Sequence, residues 1–305
     1  TVQYIFRLLS SSFLFNSYFC IQELIVMHPI LYEIRDALKG HYPDSEALAL
    51  AKMLLVEVFG FSTLELYGGK DKEFSEKHRS VLTEMIRRLQ KNEPIQYIIG
   101  IESFGGLTFE VNPNVLIPRP ETQELVAWIV KDCQSGKSIR ILDIGTGSGC
   151  IPISLGKQLS KAEVESWDIS EGALEVASRN CERNGVKVLL RQKDVLKAAP
   201  EGDLYDVIVS NPPYITNKEK TDMEANVLDW EPSLALFVPD EDPLLFYRKI
   251  AQLGCDMLKE GGSLYFEINR AYGEETILML KGLGYAQIEL KKDSWGNDRM
   301  IKAKR

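Results

Sequence analysis

Two short runs in this chain carry residues whose types and spacing suit chemistry. The first is Asp143-Ile144-Gly145-Thr146-Gly147-Ser148-Gly149, which sets a carboxylate and three alternate glycines between an apolar run and a helical one. Glycine serves where a backbone must turn sharply and admit a ligand with no Cβ in the way. A dinucleotide turn reads G-x-G-x-x-G and aims a helix N-terminus at pyrophosphate. Here the spacing is G-x-G-x-G with Asp143 just ahead, which suits a ligand bearing an ammonium and no phosphate. That description fits S-adenosyl-L-methionine. Asp168 closes the next apolar run, where a carboxylate accepts both ribose hydroxyl protons of an adenosine ligand. Asp194 and Val195 follow the third run and can contact the adenine amino group and ring, although an acid there can equally be a helix cap.

The second run is Asn211-Pro212-Pro213-Tyr214, directly after the apolar Val207-Ile208-Val209. At the carboxyl end of a parallel strand it stands where ligands sit in open α/β sheets. The Asn211 side-chain oxygen and a backbone carbonyl, held by consecutive prolines, can accept the two N–H protons of a planar amide or amine. Doing so aims the nitrogen lone pair at a methyl sulfonium, so Asn211 faces both cofactor and acceptor. Tyr214 can cover the flat face of the acceptor and stabilise charge developing on nitrogen. Asn211, Pro212 and Tyr214 are the candidate catalytic residues, and Pro213 completes the acceptor loop. Taken alone, the tetrapeptide also reads as a proline-stiffened loop with a buried tyrosine.

The histidines, His28, His41 and His78, all precede both runs. A site built later in the chain therefore excludes a Ser-His-Asp or Cys-His group and a His-ligated metal, and no metal is expected. The five cysteines are scattered and never form C-x-x-C, which fits a reducing cytoplasm better than a disulfide framework or zinc knuckle. A net charge of −8 argues against gripping long nucleic acid by its phosphates. Residues 4–26 are rich in Phe, Leu and Ile, but Arg7, Asn16, Gln22 and Glu23 interrupt them and make a poor membrane span. A cleaner apolar core and a small-residue cleavage site would mark a secretory signal. Residues 1–26 therefore read as an upstream extension, with Met27 as the start, and no membrane role is expected.

The elements that must position these runs follow from periodicity, and the 305 residues suggest two domains. Residues 29–90 are helical in pattern: Leu31, Ile34 and Leu38 form one stripe, and Leu48, Ala51, Leu54, Leu55 and Val58 a second. Pro43 and Asp44 read as stop and cap between them, and a third helix covers 75–89 with Leu82, Met85, Ile86 and Leu89 on one face. Gly105-Gly106 supplies the turn of a hairpin built on Phe104, Leu107, Phe109 and Val111. Beyond Pro120, strands over 139–144, 163–168, 187–191, 205–210, 263–268 and 285–290, and a last one near Met300, alternate with helices over 150–159, 172–184, 243–258 and 274–283. Such alternation implies a mainly parallel sheet covered by helices on both faces. The domains expected are an extension (1–26), a helical domain (27–93), a hairpin and linker (94–120) and an α/β domain (121–305). Where the linker meets the α/β domain, Arg119, Glu121 and Thr122 read equally as a wall of the site or as a capped, salt-bridged helix entry. Trp128, Trp167, Trp230 and Trp295 read as core or interface residues rather than a base-stacking platform.

From Met27 onward the chain resembles the PrmC/HemK-type methyltransferases that modify the glutamine of the GGQ motif in peptide chain release factors. The resemblance rests on Pro94-Ile95-Gln96-Tyr97-Ile98-Ile99-Gly100, Leu116-Ile117-Pro118-Arg119-Pro120-Glu121-Thr122 and the Asp143 to Gly149 turn. It extends to Asn211-Pro212-Pro213-Tyr214-Ile215, Glu231-Pro232 with Ala235-Leu236, and Lys292-Asp293 with Gly296, Asp298 and Arg299. It implies an α/β fold, a seven-stranded Rossmann-like class I methyltransferase domain whose final strand is antiparallel, with a small N-terminal helical domain that helps hold the release factor. It also implies that Gly145, Thr146, Gly147, Ser148 and Gly149 line the cofactor, that Asp168 binds its ribose and Val195 its adenine side, and that Asn211, Pro212, Pro213 and Tyr214 hold the acceptor glutamine. Three positions depart from the family pattern: Gln123 in place of a second Glu, the 237–243 segment in place of a glycine-rich loop, and Asn269 in place of a Gly.

The tetrapeptide is shared with adenine amino-methyltransferases acting on DNA or RNA, and does not choose the substrate. The helical N-terminal domain, the Ile-Pro-Arg-Pro-Glu-Thr segment and the acidic balance favour a protein glutamine. A cofactor-binding partner protein without turnover is a further reading, opposed by Asn211 and Tyr214.

Overall fold

The computed structural model describes residues 27–68, 74–134, 136–200, 202 and 204–305, so the expectation for residues 1–26 lies outside the described residues. The chain divides into two compact units between Ile99 and Gly100.

The first unit is helical. Pro29 opens the helix Pro29–Ala37, where its missing N–H costs nothing, and His28 Nδ1 accepts from the Ile30 N–H at 3.3 Å. The next helix, Asp44–Glu57, has Pro43 at its cap position. Asp44 therefore lies inside the first turn rather than capping it, where its charge still favours the helix N-terminus. The third expected helix is Glu76–Leu89, capped by the Ser75 side chain on the His78 N–H. Two short helices lacked a sequence signal: Thr63–Tyr67, held by a Ser62/Glu65 capping box, and Ile95–Ile99. Leu31, Ile34, Leu38, Ala51, Leu54 and Leu55 are fully buried in the shared core, so the two expected stripes face each other. The 94–120 segment is divided: Ile95 and Ile98 pack in this core, and the hairpin belongs to the second unit.

The second unit opens with that hairpin, β1 (Ile101–Phe104) and β2 (Leu107–Glu110), around Gly105 and Gly106, both at positive φ. The strands that follow are β3 (Ile139–Ile144), β4 (Ala162–Asp168), β5 (Leu189–Gln192), β6 (Tyr205–Ser210), the two-residue pair β7 (Ile215–Thr216) and β8 (Phe237–Val238), β9 (Leu258–Glu267), β10 (Ala286–Lys292) and β11 (Asp298–Lys304). Among the described residues, seven of these form one sheet in the order β10-β11-β9-β6-β3-β4-β5. β11 runs antiparallel to both its neighbours, and the pairs among β9, β6, β3, β4 and β5 are parallel. This is the expected class I methyltransferase topology.

Strands buried on both faces supply two helix-covered layers. Ile141, Val207 and Val209 pack with helices Pro120–Cys133 and Cys150–Gln158. Leu142, Ile144 and Ile208 pack on the opposite face with Leu245–Met257 and Gly273–Gly282. β9 starts five residues earlier than its sequence pattern suggests. Gly261 and Gly262, which read as a breaker, sit inside an irregular stretch where Leu258 to Ser263 lies against Tyr205 to Val207.

Strand order reverses between β3 and β6, the first strand and its neighbour on the other side from β4. Ligands sit at the carboxyl ends of the strands at such a switch point. Ile144 pairs with Ser210 there, which sets the glycine turn and the Asn-Pro-Pro-Tyr run side by side.

Candidate active site

The glycine turn is built as its spacing requires. Gly145, Gly147 and Gly149 have φ of 83°, 52° and 81°, a region that L side chains rarely enter. A Cβ on Gly149 would stand 2.9 Å from Ile153 Cδ1, and one on Gly145 3.8 Å from the Asn211 carbonyl oxygen. β4 holds the turn in place. The Trp167 carbonyl accepts from the N–H groups of Gly145 and Thr146 at 2.8 and 3.2 Å, and Asp168 Oδ2 accepts from the Gly147 N–H at 2.9 Å. Asp168 Oδ1 takes the Ser170 N–H at 2.9 Å, which leaves lone pairs on both oxygens for further donors.

A cavity of about 250 Å³ opens over this turn. Of the candidate cofactor residues, Gly145, Thr146, Gly147, Ser148, Asp168, Asp194, Val195 and Asn211 line it; Asp143 and Gly149 do not. Gly149 instead begins the helix Cys150–Gln158. Asp194 has a double part, facing the cavity while its side chain accepts from the Leu196 N–H at 3.0 Å and pairs with Lys197 at 2.9 Å. The hydrogen bond from Lys197 holds its carboxyl below the usual range. A turn with glycine at alternate positions, a carboxylate with spare lone pairs and mostly apolar walls suit an adenosine ligand that carries no phosphate.

Asp143 lies beneath the turn, fully buried, with Oδ2 accepting from the Ser166 hydroxyl at 2.6 Å. Burial pushes its carboxyl up to about 7, against the Ser166 bond. The unfolded chain releases that proton near about 3.9. Between these values the folded state holds a proton that the unfolded state lacks, so this group's contribution makes stability fall as pH rises towards 7. The difference amounts to roughly 4 kcal/mol at neutral pH. In cofactor-free protein, Asp143→Asn should therefore gain unfolding free energy relative to the parent as pH is raised from about 4.5 to about 7.5, measured by urea titration at each pH. A parent–variant difference that is flat with pH would mean a solvated carboxyl.

Asn211 also lines a second cavity of about 80 Å³, shared with Tyr214, Leu116, Arg119, Ile215 and Leu236. It therefore borders both cavities. Its Nδ2 donates to Thr122 Oγ1 at 3.3 Å, and the Thr122 hydroxyl donates to Glu267 Oε2 at 2.6 Å. The Tyr214 hydroxyl donates to the other oxygen of Glu267, Oε1, at 3.3 Å. Burial first, and Glu267 second, raise the Tyr214 pKa, so this phenol stays protonated. Pro212 is buried and Pro213 half-buried, and both line the larger cavity.

Residues 30–100 match the family model "PrmC N-terminal domain", and residues 122–229 match "Methyltransferase small domain". A release factor glutamine methyltransferase of Bacteroides thetaiotaomicron is 52% identical over 280 residues, covering 92% of this chain and 100% of its own. The chain belongs to the release factor glutamine methyltransferase family. It is an S-adenosyl-L-methionine-dependent protein-glutamine methyltransferase. The Flavobacterium psychrophilum member is 50% identical over 221 residues, covering 72% of this chain and 78% of its own. The solved catalytic domain of human Mettl16, in complex with an RNA hairpin, shares the fold at a TM-score of 0.52 and 17% identity, over 75% of this chain and 82% of its own.

Within this family framework the Arg119 to Thr122 segment supplies cavity wall and an ion pair, while the expected side-chain cap of its helix is not formed. Arg119 and Thr122 line the larger cavity, and Arg119 pairs with buried Glu231, whose other oxygen accepts the Ile117 N–H at 3.2 Å. Thr122 is not a cap: the cap position of its helix is Arg119, and its hydroxyl turns to Glu267. Three contributors escaped sequence reasoning. Glu267 joins Thr122 to Tyr214; the wall Asn114 to Pro118 carries no chemical signature; and Asn269, a departure from the family pattern, donates Nδ2 to the Tyr214 carbonyl at 3.0 Å. A charged residue at the carboxyl end of the strand beside β6 was the available signal for Glu267. The altered 237–243 segment is ordered by pairing: β8 lies parallel to β7, and Asp240 accepts the Lys218 N–H at 3.1 Å.

Proposed function

We propose that this chain methylates the side-chain amide nitrogen (N5) of the glutamine in the GGQ motif of peptide chain release factors, in the cytoplasm. One observation carries the reading: Asn211, with Nδ2 engaged by Thr122, borders both cavities and leaves Oδ1 for an acceptor amide.

S-adenosyl-L-methionine supplies a methyl group already activated on sulfonium. Gly145 and Gly147 would admit the ligand by bare backbone, Asp168 would accept from its ribose hydroxyls, Asp194 and Val195 would meet its adenine side, and Asp143 supports the turn from below. The Asn211 Oδ1 and a backbone carbonyl of the Pro-Pro pair accept the two N–H protons of the glutamine. This orients a nitrogen whose lone pair is otherwise tied up in amide resonance. Both bonds strengthen as positive charge develops on nitrogen, so they favour the transition state over bound substrate. The Tyr214 ring borders the smaller cavity and faces the acceptor, its hydroxyl fixed by Glu267.

Incubation with methyl-labelled cofactor and either purified release factor or adenine-containing nucleic acid, followed by mass-spectrometric mapping, tests the reading. Label on the GGQ glutamine is expected. Label on adenine alone would replace the substrate; binding of cofactor without label on either would leave a non-catalytic partner protein.

A further inference from the structure

We propose that Thr122 and Glu267 are positioning residues that dictate which end of the Asn211 amide faces the acceptor. The inference rests on the reading that Asn211 works through Oδ1.

A primary amide offers an oxygen on one side and a donor on the other, and only the oxygen can receive an acceptor N–H. An asparagine free to flip about its last bond would spend part of its time presenting the wrong end. Proton counting removes that freedom here. The Thr122 hydroxyl has one proton, which goes to Glu267 Oε2 across 2.6 Å, a short charge-assisted bond. Its oxygen can then only accept, so the Asn211 group facing it, 3.3 Å away, must be Nδ2. Flipping the amide would set two acceptors against each other. The direction of the whole chain originates at the carboxylate, the one member with no proton to give.

Glu267 is suited to that part. It is 1% exposed, Thr122 is 2% exposed, and the other carboxylate oxygen takes the Tyr214 hydroxyl, so one buried group orients both side chains of the acceptor motif. Arg299 on β11 supplies favourable charge, while Glu121 on the helix Pro120–Cys133 opposes it. Tyr247 on the helix Leu245–Met257 and Cys150 at the start of the helix Cys150–Gln158 also sense Glu267, and both are held neutral by burial. Burial raises the Glu267 carboxyl above its ordinary range. When it takes up a proton it can donate to Thr122, whose own proton then turns to Asn211 Oδ1, and the acceptor loses its partner.

The test compares Thr122→Val, Thr122→Ser, Glu267→Gln and the double variant Thr122→Val/Glu267→Gln with the parent, using kcat and KM for release factor across pH and cofactor Kd by calorimetry. Thr122→Val, nearly isosteric, should lower kcat by about 10- to 100-fold with cofactor Kd within about threefold, since an unguided amide loses alignment rather than binding. Thr122→Ser should restore kcat to within about threefold, because the hydroxyl is kept. Glu267→Gln can donate to Thr122 and so reverses the chain; it should fall below Thr122→Val, and the double variant should recover to the Thr122→Val level. The parent should also lose kcat on the acid side, a limb absent from Thr122→Val. Should Glu267→Gln fail to fold, the two Thr122 variants and the pH profile decide alone. Parental kcat in Thr122→Val with its acid limb unchanged overturns the proposal. If Asn211→Ala is equally active, the underlying reading of Asn211 falls instead.

Discussion

Asn211→Ala is expected to lower kcat for glutamine methylation by about 10³-fold while cofactor Kd stays within about threefold, the scale of losing one preorganised hydrogen-bonding group aimed at developing charge. The side chain borders the larger cavity, but in the proposed reading the cofactor rests on the glycine turn and Asp168, and the Asn211 Nδ2 is bonded to Thr122 instead. What disappears is one of two acceptors that pin the glutamine nitrogen in plane. The Pro-Pro carbonyl alone leaves the amide free to pivot, and misplacement by about 1 Å costs on the order of 10²-fold in a transfer of this kind. Single-turnover rates at saturating release factor, paired with calorimetric cofactor affinity, separate the two quantities. Full activity would remove Asn211 from the mechanism; a large rise in cofactor Kd would make it a binding residue.

Asp168→Ala is expected to raise cofactor Kd by about 100-fold or more, as two hydrogen bonds to a charged group are lost at about 1.5–3 kcal/mol each. A second loss accompanies the first. The same carboxylate accepts the N–H groups of Gly147 and Ser170, so alanine also unpins the middle of the glycine turn. Asp168→Asn distinguishes the contributions: one amide oxygen can still accept, but the NH₂ group must face a backbone donor. Its Kd should fall between those of the parent and the alanine variant. Titration by calorimetry gives the values, and an unchanged affinity in Asp168→Ala would refute the ribose assignment.

Much of the second unit was legible because parallel strands covered on both faces read as predominantly apolar runs, as Ile139–Ile144 and Tyr205–Ser210 do. The long amphipathic helices were legible for a related reason, since several turns repeat the same stripe. Thr63–Tyr67, Ala225–Trp230, Ser233–Leu236 and the two-residue pair β7 and β8 are shorter than two turns or two alternations, so periodicity has nothing to repeat. The glycine turn and the acceptor tetrapeptide announce themselves because their chemistry is local. The bond from Thr122 to Glu267 spans 145 positions: the Ile-Pro-Arg-Pro-Glu-Thr segment marks Thr122, but nothing in the neighbourhood of either residue points to the other. Strand order alone brings such a pair together. Asn269 shows the converse: one of the three departures from the family pattern holds the Tyr214 backbone.

The pairing of Ile144 with Ser210 has an evolutionary consequence. The Ser210 hydroxyl donates to the Ile144 carbonyl at 2.6 Å, so the glycine turn and the Asn-Pro-Pro-Tyr loop leave the same rung of one ladder. Adding a residue to either strand would shift its loop by about 3.3 Å and turn its side chains to the opposite face. Residues 239–243, beyond the pairing of β8 with β7, face no such register penalty. Length changes there leave the Ile144–Ser210 ladder in register, so loops around the site can vary while the glycine turn and the Asn-Pro-Pro-Tyr run stay side by side.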